Sequence, residues 1–134
     1  MDTIEQLLTR LHVLVVDDME VMRSMVNSCL KEIGVTHITM CSNGDSAWRT
    51  LAGTSIDVII CDWDMPGKSG LELLNLVRSS DQHKTIPFLM LTATTEKERV
   101  ADAVKAGVND YLAKPFQSKE LEYRVVKLLR KVKQ

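Results

Sequence analysis

Short apolar runs recur along this chain, and each stops at a residue that carries chemistry. Val13 to Val16 ends at Asp17-Asp18, Val58 to Cys61 at Asp62, Phe88 to Leu91 at Thr92, and Tyr111 to Ala113 at Lys114-Pro115. Consecutive apolar residues leave a strand no polar face, so such runs read as strands covered on both sides. Between them the period changes. Met22, Met25, Val26, Cys29, Leu30 and Ile33 fall at offsets 0, 3, 4, 7, 8 and 11, one face of an amphipathic helix that Gly34 closes. Leu121, Val125, Leu128, Leu129 and Val132 repeat that face near the C-terminus. Shorter helices are expected around Ala47, Trp48 and Leu51, around Leu73, Leu74 and Val77, and where Val100, Ala103 and Val104 would be buried. A further strand is expected near Ile38 to Cys41, with Asn43-Gly44 as punctuation after it.

Five strand–helix units with short connections predict an α/β chain: a five-stranded parallel sheet with helices on both faces, doubly wound because crossovers are right-handed. The 134 residues suit one domain. Residues 11–134 would form it, and residues 1–10 would be an N-terminal arm, either a helical turn or a frayed end. A net charge of −1 excludes the basic excess of a nucleic-acid binder. The apolar runs are far too short to span a membrane, and no secretory signal opens the chain. Cys29, Cys41 and Cys61 lack metal-site spacing and read as buried thiols. A cytoplasmic monomer is the expectation.

In doubly wound sheets, ligands bind outside the carboxyl ends of the strands. That edge would gather Asp17, Asp18, Asp62, Asp64 two residues on, Thr92 and Lys114. Any one of these alone is an ordinary loop acid, helix cap or surface lysine; their convergence is the signal. Two like charges about 4 Å apart cost roughly 4 kcal/mol at an effective dielectric near 20. A hard divalent cation offsets such crowding, and oxygen ligands suit Mg²⁺. Metal, lysine and hydroxyl around a central carboxylate are what phosphoryl transfer onto that carboxylate requires.

These residues resemble the receiver domain of bacterial two-component response regulators. Val15-Val16-Asp17-Asp18, Cys61-Asp62-Trp63-Asp64-Met65-Pro66, Leu91-Thr92-Ala93 and Tyr111-Leu112-Ala113-Lys114-Pro115-Phe116 carry the likeness. It runs over roughly residues 11 to 132 and is nearest to the stand-alone chemotaxis receivers. The resemblance implies a flavodoxin-like strand order 2-1-3-4-5 and a phosphoacceptor at Asp62, loaded by a histidine kinase or by small phosphodonors. Mg²⁺ would be held by Asp18 and Asp62, by Asp17 through water, and by the backbone carbonyl of Asp64. Lys114, before a cis Pro115, and Thr92 would stabilise the phosphoryl group. Thr92 and Tyr111 would be the switch pair, with Tyr111 turning inward as Thr92 moves. Output would pass through the fourth helix, fifth strand and fifth helix, a surface including Lys97, Val100, Tyr111, Ala113, Arg124 and Lys127. The chain would be a signalling domain that assists its own phosphorylation and dephosphorylation, not a conventional enzyme. Its target would be a flagellar motor switch protein, with another protein target or a role as a phosphate sink as alternatives. Three positions depart from the chemotaxis pattern: Asp64 replaces asparagine, Thr94 replaces glutamate, and Met19 replaces an aromatic residue. Positions 64 and 94 would flank the phosphoryl group, so they bear on its lifetime.

Two other readings of the same residues fit less well. Asp62-Trp63-Asp64 mimics the Asp-x-Asp of haloacid-dehalogenase-type phosphatases, but it follows the third strand and Pro66 stands where those have Thr or Val. A nucleotide- or flavin-binding module needs Gly- and Ser-rich amides after the first strand. Asp17-Asp18-Met19-Glu20 would instead repel phosphate.

Overall fold

The computed structural model describes residues 3–93 and 97–132, and of residues 131 and 132 the backbone alone. Thr94 and the side chain of Val132 therefore lie outside the described residues. The elements run α1 (Ile4–Arg10), β1 (His12–Val16), α2 (Glu20–Glu32), β2 (His37–Cys41), α3 (Gly44–Gly53), β3 (Val58–Asp62), α4 (Gly70–Ser79), β4 (Phe88–Thr92), α5 (Lys97–Ala106), β5 (Asp110–Ala113) and α6 (Ser118–Val132). All strand pairs are parallel and the order is β2-β1-β3-β4-β5.

Alternation along the buried strands builds two cores. Val13, Val15, Val58, Ile60, Leu89 and Leu91 face α2 and α6, whose Val26, Leu30, Leu121, Val125 and Leu129 complete that layer. Leu14, Val16, Ile59, Cys61, Phe88 and Met90 face the opposite way, against Ala47, Leu51, Leu73, Leu74, Val77 and Ala103 of α3, α4 and α5. β3 and β4 are buried along their whole length, which is why their sequences show no polar face. Each fully buried aliphatic side chain contributes roughly 1.5–3 kcal/mol. The three cysteines are buried free thiols.

One expectation fails: Val104 is 62% exposed. Successive helical residues point about 100° apart. Ala103 takes the inward direction on α5, at 1% exposure, and its neighbour is turned off the contact. Of the two expectations for the N-terminal segment, residues 4–10 take the helical one. Thr3 and Gln6 form a reciprocal capping box on α1, and Leu8 enters the core beside Leu11.

The edge opposite the candidate site is tied by Arg78 of α4. Its guanidinium donates to the carbonyls of Ile86 at 2.7 Å and Gly107 at 2.8 Å, and to the Asn109 side-chain oxygen at 2.7 Å. That oxygen also accepts from the Phe88 amide at 2.8 Å. One half-buried cation thus satisfies loop carbonyls on both sides of β4 and fixes where β4 and β5 begin. Burial lowers the Arg78 pKa from its ordinary value.

Candidate functional site

Strand register assembles the site. Val16 pairs with Cys61, so Asp17 and Asp62 leave neighbouring strands at the same level. Asp62 pairs with Leu91, which places Thr92 one step further along. Thr92 pairs with Ala113, and the Lys114 amide donates to the Thr92 carbonyl at 2.7 Å. Four strands therefore deliver the acids, the hydroxyl and the amine to one sheet edge.

Lys114 is the hub. Its Nζ donates to Asp62 Oδ1 at 3.0 Å and to Asp17 Oδ2 at 3.1 Å. Asp17 and Asp62 are buried, at 1% and 5% exposure, while Asp18 is exposed. Asp17 Oδ1 accepts the Met19 amide at 2.9 Å, and Arg23 holds the Asp17 carbonyl at 2.7 Å. The turn that presents the acidic pair is thus fixed by the first of the two acids. Burial raises the Asp62 pKa from its ordinary value, against the opposing pull of the Lys114 hydrogen bond and charge; Asp17 and Asp18 push it in the same direction as burial. Lys114 is subject to a burial effect that lowers its pKa, but its hydrogen bonds to Asp62 and Asp17 outweigh this and raise it. Cys61, behind Asp62, is held well above the usual thiol range, first by burial and then by the Asp62 charge; it remains a neutral thiol packed in the core.

Asp17, Asp18 and Asp62 each offer a carboxylate oxygen, all within 4.8 Å of one another. One ammonium against three acids leaves negative charge uncompensated, and all the donors are oxygens. That donor set fits a hard divalent cation. The carboxylate of Asp64 points elsewhere. It is engaged by both terminal nitrogens of Arg99, each at 2.9 Å, which lower its pKa. Only its backbone carbonyl would remain for the metal role implied by the sequence.

Thr92 is buried and Tyr111 half-buried. Trp63, Thr92, Arg99, Val100, Ala103 and Tyr111 surround a gap of about 10 Å³, far too small for a phenol ring. The Lys114–Pro115 peptide is cis. Of the expected output residues, Lys97 and Lys127 are exposed, and Val100 and Ala113 are intermediate. Arg124 is intermediate too, and its Nη1 bonds both oxygens of Asp110 at 2.9 and 3.0 Å.

Sequence reasoning missed Arg99 and Gly70. Arg99 sits on α5 and contacts Asp64 across 35 residues of chain; nothing local marks it. Gly70 opens α4 with its amide on the Trp63 carbonyl at 2.9 Å. A Cβ there would overlap the Asp62 carbonyl and lie 2.8 Å from Met90 Sδ and 3.0 Å from Trp63 Cα. The sequence shows a loop glycine, not the close approach that requires it.

The family model described as "Response regulator receiver domain" matches residues 13–126. Among curated proteins, the chain is 34% identical over 120 residues to the chemotaxis protein CheY of Pseudomonas aeruginosa, covering 90% of this chain and 97% of that one. Among solved structures, it is similar to the chemotaxis response regulator CheY4 of Vibrio cholerae, with a TM-score of 0.82 and 32% identity, covering 88% of this chain and 98% of that one. It is also similar to the receiver domain of a sensor histidine kinase from Pseudomonas aeruginosa, described with a magnesium ion coordinated in its active-site cleft. There the TM-score is 0.81 and the identity 27%, with 90% of this chain and 98% of that one covered.

Proposed function

The chain belongs to the response regulator receiver domain family, and from that premise we propose that it is a phosphorylation-operated switch with Asp62 as phosphoacceptor. The observation that supports this most is the buried Asp62 carboxylate, bonded to Lys114 and crowded by Asp17 and Asp18. Residues 11–134 are assigned to the receiver domain, with residues 1–10 preceding it.

An Asp62 oxygen attacks the phosphorus of a kinase phosphohistidine or of a small phosphodonor. The bond from phosphorus to the leaving group breaks as the new one forms. Lys114, already 3.0 Å from Asp62 Oδ1, then faces the charge gathered on the equatorial oxygens. The Thr92 hydroxyl donates a hydrogen bond to one of them. Asp17, Asp18, Asp62 and the Asp64 carbonyl would hold Mg²⁺, which supplies neutralising charge when bound. Movement of Thr92 opens the gap behind it to the Tyr111 ring, and the surface of α5, β5 and α6 changes with that ring. A population shift from 1:99 to 99:1 needs about 5.5 kcal/mol of differential interaction.

The partners are a histidine kinase, of chemotaxis type by the named relatives, and a protein target in the cytoplasm. Relatives named as chemotaxis proteins support a flagellar motor switch protein as the first reading of that target. A non-motor target or a phosphate-sink role is the second reading, favoured by the departures at positions 64 and 94. Among the described residues no helix is long and apolar enough to cross a membrane. A pull-down against motor-switch peptides tests the output. Retention of the phosphorylated form alone is expected; equal binding, or none, in both states would contradict the motor target.

A further inference from the structure

Arg99 reaches the site from α5. Its fork donates to both oxygens of Asp64 at 2.9 Å, and its guanidinium carbon lies 4.9 Å from the centroid of the Trp63 ring. An arginine fork fixes a carboxylate in plane and takes one lone pair on each of its oxygens at once. The aromatic face holds the guanidinium from the other side. The Asp64 side chain is still 58% exposed within this clamp, so what Arg99 removes is its freedom to turn, not its contact with water. It stands two residues beyond Asp62 and lies within electrostatic reach of the Lys114 ammonium that bonds Asp62.

We propose that Arg99 is a positioning residue that prolongs the phosphorylated state, by holding the Asp64 carboxylate in one orientation so that it does not turn to aim the water that would hydrolyse the phosphoryl group. The inference rests on Asp62 being the phosphoacceptor. In hydrolysis a water oxygen bonds to phosphorus, and the bond from phosphorus to the Asp62 oxygen breaks. Its electron pair returns to Asp62 as carboxylate, and inorganic phosphate leaves with the water's oxygen. The water's protons stay on the phosphate or pass to solvent. A carboxylate free to turn at position 64 accepts a hydrogen bond from that water and aims it; one pinned by the guanidinium fork accepts water only in the directions its fixed plane leaves open. Arg99 contributes through Asp64 and makes no bond to the reacting atoms.

The test loads wild type, Arg99→Ala, Arg99→Lys, Asp64→Asn and the double variant Arg99→Ala/Asp64→Asn with acetyl phosphate and Mg²⁺. The donor is then removed and the phosphate adduct followed by intact mass. Loss from Arg99→Ala is expected to be on the order of tenfold faster than from wild type, below the hundredfold or more of a fully committed proton acceptor. Arg99→Lys is expected between the two, because one ammonium does not pin both oxygens in one plane. The double variant is expected to decay like Asp64→Asn. Equal or slower decay of Arg99→Ala, or the same acceleration in the Asp64→Asn background, would overturn the proposal while leaving the phosphoacceptor standing. Absence of any adduct on wild type would overturn both.

Discussion

Replacing Lys114 with methionine is expected to destabilise the protein by about 3 kcal/mol near neutral pH in the presence of chelator, at the lower end of the cost of removing one partner from a buried ion pair. The side chains involved are nearly out of water, at 14% exposure for Lys114, 1% for Asp17 and 8% for Asp62. Methionine keeps most of the volume and removes the only cation that bonds both acids among the described contacts. The loss has a definite pH sign. Burial already holds the Asp62 pKa up, and the Lys114 hydrogen bond and charge hold it down. Without lysine it rises further, so the folded variant binds more protons than its unfolded chain. Stability from such a group is present in acid and falls as pH rises through the folded pKa. The deficit against wild type should therefore shrink between about pH 8 and about pH 5. The raised pKa of Lys114 in wild type acts in another window, since its contribution is complete below the ordinary lysine value and lost only above it. Urea unfolding of both proteins at the two pH values measures this. A deficit under about 1 kcal/mol, or one that widens in acid, would show that Lys114 is not compensating buried charge.

The second large effect is expected at Gly70. Alanine ordinarily stabilises a helix relative to glycine, by roughly 0.5–1 kcal/mol. Here its Cβ overlaps the Asp62 carbonyl and presses on Trp63 Cα at 3.0 Å and Met90 Sδ at 2.8 Å. Two of these atoms are backbone at the end of β3, which the sheet holds on both sides. Overpacking a well-filled interior costs about 1–3 kcal/mol, and a net loss of at least about 2 kcal/mol is expected because little here can give way. Asp62 shifts with its own carbonyl, so phosphate uptake should slow as well. Gly53→Ala is the control: nothing lies within 4 Å of the added atom, and it should be neutral or slightly stabilising. A neutral Gly70→Ala would mean that the contact of α4 with β3 is looser than the structure has it.

Much of this was legible in the sequence because the fold converts chain order into position. A parallel sheet collects strand ends on one edge, so Asp17, Asp62, Thr92 and Lys114 could be grouped without knowing a single distance. What stayed hidden was tertiary. Arg99 and Asp64 meet only because α5 crosses above the loop after β3, and no spacing rule links residues 35 apart. The extra acid at position 64 was expected to flank the phosphoryl group; its carboxylate is half of an ion pair with Arg99. Arg78 carries no local mark in the sequence, yet it ties down loops on both sides of β4. Arg124 was assigned to the output surface from its place on the last helix, and it reaches back to Asp110. Val104 was misread because a three-residue apolar cluster on a short helix does not say which member faces inward. The helix at the N-terminus had a local signal, Thr3 and Gln6 at capping-box spacing before Leu7 and Leu8, but seven residues do not form a stable helix alone; its stability comes from Leu8 entering the core.

The most direct measurement is intact mass of wild type and Asp62→Asn after exposure to acetyl phosphate, with Mg²⁺ and with chelator. One phosphate adduct on wild type that requires the metal, and none on Asp62→Asn, is the predicted result. An adduct of equal yield on Asp62→Asn, or no adduct on wild type in either condition, would contradict the assignment of Asp62 as the phosphoacceptor.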